Sequence, residues 1–308
     1  MTTATRGSLE RAIVGAAVGP ITHELDARWL MAYAAALGET DARYYDTLAA
    51  GGPLAHPLFA VCYEWPAAVA LRDETVPAAL QPQSVHATHH LTIHRSPRAG
   101  DVLHTTARVI DVAPRRSGTL VVSRFDTVDA RGGPVSTTDY GSIYRGVPLA
   151  GADGATPSAD AKSARGSRAS EAGAAGTPRA GAGASGAGGA TTWAEAVEIA
   201  ANAALVYTEC ARIWNPIHTD VAVARRAGLS GPILHGTATL ALAVSRVIAR
   251  ELRGEPARVR EIHARFTGMV ALPSTFTVHG RDVGGGCVGF DATAPDGASI
   301  LSQGVVTT

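Results

Sequence analysis

The chain has 308 residues, 46% of them hydrophobic, which allows two ordinary domains with real cores. Lys+Arg and Asp+Glu each count 27, and this zero formal charge argues against a general binder of nucleic acid. The cysteines, Cys62, Cys210 and Cys287, are odd in number and form no CxxC pair, which argues against a disulfide framework or zinc ribbon and implies three buried thiols in a reducing cytoplasm.

Residues 1–15 hold Arg6, Glu10 and Arg11 and lack the continuous apolar run of a signal peptide. No stretch reaches the ~18 apolar residues of a membrane span. The most apolar stretch, 236–248, is interrupted by Ser245 and Arg246. A soluble cytoplasmic protein is expected. Asp26 is a good N-cap for a helix that runs through Leu37 and closes at Gly38. Leu30, Tyr33, Ala34 and Leu37 share one face of it. A loop with Pro53 and Pro57 leads to a second apolar helix over 58–71. Strands are expected at 86–95, 101–112, 119–128 and 135–145, with turns at 114–118 and 129–133, an antiparallel meander.

From 150 to 192 the composition collapses to Gly, Ala and Ser, which cannot bury enough apolar surface to offset backbone entropy. This segment reads as a disordered tether between an N-terminal unit, 1–149, and a C-terminal unit, 193–308. The second unit repeats the plan. After an opening stretch come residues 207–220, a short helix through Ala227, and a long apolar helix over 237–252. Leu240, Val244, Val247, Ile248 and Leu252 form the stripe of that helix. Strands follow at 258–269, 274–283, 287–294 and 299–307. Two copies of helix, long apolar helix and meander predict an α+β duplication, each sheet wrapped around one central helix.

The most specific stretch is YTECARIWNPIHTDVAVARRAGLSGPILHG, residues 207–236. Asn215, Pro216, His218, Asp220, Ala224, Gly228, Leu229, Pro232, Ile233, His235 and Gly236 fall in register with one family pattern. This stretch resembles the signature of the MaoC-like, (R)-specific enoyl-CoA hydratase and acyl dehydratase family. The first unit, with SPRAGD near position 100 and Tyr144 to Gly146, resembles the weaker first half of double-hotdog dehydratases. The resemblance implies two hotdog folds in one chain, with the active site in the second.

Hydrating an enoyl thioester needs a group that takes a proton from water and donors for the developing enolate oxygen. His218 is the candidate acid or base. Asn215 orients water or shapes the turn, and Pro216 stiffens it. Gly236, opening the long helix without a Cβ, offers its N–H to the thioester oxygen. His235, Pro232 and Arg212 are the substrate-binding candidates; His235 either bonds the substrate or seats the helix, and Arg212 either meets a phosphate or pairs with a carboxylate. The family's Asp, five residues before the His, is here Ile213. Glu209 and Asp220 are the nearby carboxylates, and Asp220 suits a helix cap. In the first unit Glu39 stands at the Asp position but Tyr44 at the His position, so that unit is read as a scaffold for the acyl tunnel. On one strand His86, His90 and His94 would share a face and His89 the other, as ordinary strand histidines rather than metal ligands.

The expected activity is reversible hydration or dehydration of an acyl thioester, on CoA or acyl carrier protein, without metal or redox cofactor. A hotdog thioesterase, or a non-catalytic acyl-thioester binding subunit motivated by Ile213, remain alternatives. No nucleic acid or membrane partner is expected. Two fused copies already supply the pairing that one would seek from a partner, and a further homodimer stays open.

Overall fold

A computed structural model describes residues 7–151 and 190–308. The tether expected over 150–192 lies outside the described residues from 152 to 189. The first half contains β1 (Ala17–Glu24), α1 (Ala27–Ala36), α2 (Ala60–Thr75), β2 (Ser84–Ile93), β3 (Val102–Arg115), β4 (Gly118–Asp129) and β5 (Pro134–Arg145). The second contains β6 (Thr191–Ile199), α3 (Ala203–Ala211), α4 (Val221–Arg226), α5 (Gly236–Glu251), β7 (Glu261–Phe266), β8 (Ser274–Asp282), β9 (Cys287–Thr293) and β10 (Ser299–Thr307). Among the described residues no helix is long and apolar enough to cross a membrane.

All ten strands join one antiparallel sheet in the order β1-β3-β4-β5-β2-β7-β10-β9-β8-β6. The order is the same read inward from either end, so the duplication seen in the sequence becomes a local two-fold. Its axis passes between β2 and β7, where His90 faces His263. On the inner side α1 packs on α3, and the hydroxyls of Tyr33 and Tyr207, both fully buried, meet at 3.3 Å.

Most expected elements form for the reasons the sequence supplies. Asp26 accepts from the Trp29 N–H at 2.6 Å and caps α1, and Leu30, Tyr33, Ala34 and Leu37 are buried. The stripe of α5 is buried throughout, because the sheet wraps it on more than one side. One continuous core contains residues of both halves, among them Trp29, Phe59, Tyr207, Leu240 and Phe276.

Three elements were not expected: β1, β6 and α3. Both strands form the edges of the sheet; their exposure alternates, but no residue of β1 and only Val197 and Ile199 of β6 are fully buried. Edge strands carry less apolar pattern, and β1 also holds Pro20, so period-two reasoning passes over them. Helix α3 takes up residues to which the sequence reading assigned no element, and Arg212 ends it in the left-handed region at φ 59°. The cysteine expectation also needs correction. All three thiols are free, but only Cys62 is buried; Cys210 and Cys287 are half-buried near helix and strand ends.

The halves are further joined by a buried polar link. His56 Nδ1 accepts from the Leu58 N–H at 3.1 Å, so its proton sits on Nε2, which faces Ser245 Oγ of α5 at 3.2 Å. Ser245 in turn donates to Glu39. On the rim Arg43 reaches both carboxylate oxygens of Glu255 at 2.8 Å. Ser245→Ala strips a partner from the buried His56 and the half-buried Glu39 at once and is expected to cost about 1–3 kcal/mol. Urea unfolding of the full chain measures it; an unchanged midpoint would show that the link contributes nothing to stability.

Candidate active site

The loop between α3 and α4 is organised by its own side chains. Asn215 Oδ1 accepts from the Ile217 N–H at 3.4 Å, and Pro216 starts a single tight turn, Pro216–His218, that carries the imidazole. Asp220 then caps α4, accepting from the Ala222 and Val223 N–H groups at 2.7 and 3.0 Å. Its carboxylate is thereby occupied and exposed, and Glu209 is also exposed on α3. Neither lines the cavity, whereas Ile213, where the resemblance led us to expect an Asp, is buried in its wall.

His218 Nδ1 lies 2.9 Å from the Ile233 carbonyl, which can only accept, so Nδ1 bears the proton and Nε2 keeps its lone pair. The ring stacks on His235 with centroids 3.7 Å apart. Burial lowers the His218 pKa to about 4, against a smaller opposite effect of the carbonyl bond. Burial, and then the neighbouring His218, push His235 down to about 2. Both rings are neutral at pH 7. His235 Nε2 sits 3.2 Å from Thr208 Oγ1, and the residue also stands at the N-cap position of α5.

Gly236 opens α5, and no side chain caps that helix end. Its first N–H groups are therefore free to meet a ligand oxygen. A Cβ at Gly236 would stand 3.2 Å from Phe266 of β7 and 3.7 Å from His86 Nδ1 of β2. His218, Asn215, His235 and Gly236 all line one cavity of about 690 Å³. Much of its remaining wall comes from the first half: Val61, Glu64, Trp65 and Ala68 of α2, and the inner faces of β2, β4 and β5.

Two expected substrate contacts are not brought to that cavity. Arg212 stacks over Trp29 at 4.1 Å and lies 3.7 Å from Asp26, tying α3 to α1. The left-handed cap turns its side chain to that side. Pro232 is not a lining residue; it delivers the chain to Ile233 and Leu234, which are.

The histidines of β2 are also rearranged. A bulge at Ala87 inserts one residue opposite β5, between the His86–Ser142 and Thr88–Gly141 pairs. This shifts the alternation by one and brings His86 to the face of His89, with ring centroids 5.4 Å apart. His90 stays on the other face, beside His263. Glu64 is an ionisable lining residue that the sequence reading missed. It is 4% exposed, and its Oε1 accepts from Thr138 Oγ1 at 2.6 Å. An acid inside an apolar helix was the available signal.

The corresponding place in the first half is closed. Pro53, Leu54, Ala55, His56 and Pro57 repeat the pattern of Pro232, Ile233, Leu234, His235 and Gly236, and both histidines precede a helical segment as its N-cap. Pro57 has no N–H, so it cannot offer what Gly236 offers.

Two helices embraced by one continuous antiparallel sheet, with a cavity opening on a helix N-terminus, define a double hotdog. Residues 191–293 match the MaoC like domain model, and residues 12–138 match the FAS1-like, dehydratase domain region. The chain is similar to peroxisomal enoyl-CoA hydratase 2 of Arabidopsis thaliana, 42% identical over 53 residues, or 17% of each chain. It is 30% identical to a probable enoyl-CoA hydratase 2 of Dictyostelium discoideum over 103 residues, 33% of this chain and 35% of that one. The aligned stretch thus spans about a third or less of these relatives' own length. The crystal structure of a MaoC-like dehydratase from Phytophthora capsici superimposes with a TM-score of 0.76 at 21% identity, covering 96% of both chains.

Glu64 gives the cavity a pH signature. Burial raises its pKa from 4.5 to about 8, against the opposing bonds from Thr138 and Ser136. The folded state therefore holds a proton that the unfolded chain has already released. This contribution is fully present below about 4.5 and is lost as pH rises toward about 8. Glu64→Gln is expected to remove a slope of up to about 1.36 kcal/mol per pH unit in that window. Denaturant midpoints of both proteins across the window measure it; parallel profiles would refute the assignment.

Proposed function

We propose that the chain is a hydro-lyase that reversibly hydrates an enoyl thioester to the 3-hydroxyacyl thioester. The observation that carries this reading is one cavity that holds both an imidazole with a free Nε2 lone pair, His218, and an uncapped helix N-terminus opening at Gly236. The names of the relatives, enoyl-CoA hydratase 2, support it.

In the forward direction His218 Nε2 removes a proton from water as the oxygen bonds to the third carbon. The double-bond electrons move toward the thioester, whose oxygen gains charge and accepts from the Gly236 end of α5. The second carbon then takes the proton that His218 removed from water, which returns the imidazole to its neutral form. In reverse, protonated His218 gives its proton to the departing hydroxyl. No electrons leave the substrate, so proton movement and hydrogen bonding suffice. Asn215 holds the turn that aims His218, and His235 supports the ring from its other face. Ile213 supplies no acid, so His218 acts without a carboxylate at that position. The first half closes the acyl side of the cavity as a scaffold. The thioester is carried by CoA or an acyl carrier protein, and the chain works in the cytoplasm.

His218→Ala is expected to lower kcat/KM by about 10²–10⁴-fold. The measurement is loss of enoyl absorbance with purified protein and a panel of enoyl-CoAs, with free thiol followed in parallel. Retention of full activity by the variant would overturn the role of His218. Thiol release with an intact double bond would replace hydration by thioester hydrolysis.

A further inference from the structure

We propose that the β2–β5 wall of the cavity is a hydrogen-bonding subsite, so that the preferred substrate is an acyl thioester bearing a hydroxyl or keto oxygen along its chain rather than a plain alkyl one. This rests on the reading that the cavity receives an acyl thioester.

His89 is 1% exposed, lines the cavity, and neither ring nitrogen has a hydrogen-bond partner among the described residues. Buried polar groups are normally satisfied, and an orphaned one is costly. Burial holds the ring neutral, with its pKa lowered to about 3. A neutral imidazole offers one N–H and one lone pair, which suit a hydroxyl at both ends and a keto oxygen at one.

His86 extends the same wall toward the reacting end. Its Nε2 lies 3.1 Å from the Thr88 carbonyl, so that nitrogen carries the proton and Nδ1 keeps a lone pair. That Nδ1 is the atom 3.7 Å from the Cβ position of Gly236. The two rings are thus steps along one strip leading away from the proposed thioester position. Tyr140 stacks on His86 at 3.8 Å, and Ser142 and Glu64 line the same cavity. A tunnel for plain alkyl chains gains nothing from these groups. An apolar chain laid against His89 would leave both of its nitrogens unpaired and dry.

The arrangement depends on the bulge at Ala87. Without it His86 would face away from the cavity, and the strip would hold one histidine instead of two.

The test uses the full chain and carba analogues of acyl-CoA, in which a methylene replaces the thioester sulfur. One analogue carries an alkyl chain. Its length-matched partners carry a single hydroxyl or keto group, moved along the chain beyond the third carbon. By calorimetry at least one oxygenated isomer is expected to bind about tenfold tighter than the alkyl analogue. His89→Phe, checked for fold by circular dichroism, is expected to bring that ratio to about one. An alkyl analogue that binds the wild-type protein as well as every oxygenated isomer overturns the proposal, whether or not the variant folds. A clear preference without turnover of the matching enoyl thioesters would overturn hydration and leave the subsite standing. Failure of every analogue to bind would overturn both.

Discussion

The antiparallel pairing of β2 with β7 holds the molecule together. Five residue pairs, from Thr88–Arg265 to Thr92–Glu261, turn two five-stranded sheets into one of ten. The same pairing sets the site. It brings His86 of β2 and Phe266 of β7 side by side, with ring centroids 4.2 Å apart, where both stand against Gly236. The helix end in the second half is therefore bordered by a side chain from the first. The proposed thioester site belongs to the pair of halves, although its motif lies in one.

What could be read from the sequence divides along physical lines. The meanders and the apolar helices were legible because their periodicity is local and their burial is strong. The Asn215–Gly236 stretch was legible because its residues are close in sequence and their spacing is rigid. Edge strands β1 and β6 were not, since among the described residues one side of each pairs with no strand and few of their residues are fully buried. The orientation of His86 was hidden because one inserted residue, Ala87, reverses alternation without changing composition. Arg212 was misplaced because a left-handed cap sends it to Trp29, a partner 183 positions away in the other half. Glu64 was missed because its significance lies in burial, which no single residue announces.

The two halves show how a duplicated scaffold differentiates. Each keeps a histidine ahead of its central helix, but the next residue is Gly236 in one and Pro57 in the other. Gly236 keeps main-chain donors open in the second half; Pro57 removes one in the first. His56 has been drawn into the link with Ser245 and Glu39, where it serves cohesion. The space left on that side of the molecule is small, while the large cavity spreads beneath the second half's loop and borrows the first half's sheet.

The shared sheet also constrains how such a protein can be divided. Cutting between the halves would bare the full hydrogen-bonding rim of β2 on one fragment and of β7 on the other. Such rims recruit any strand within reach. Either fragment made alone would tend to dimerise through that rim or clump, so covalent fusion here does more than raise local concentration: it reserves each sticky border for its own sibling.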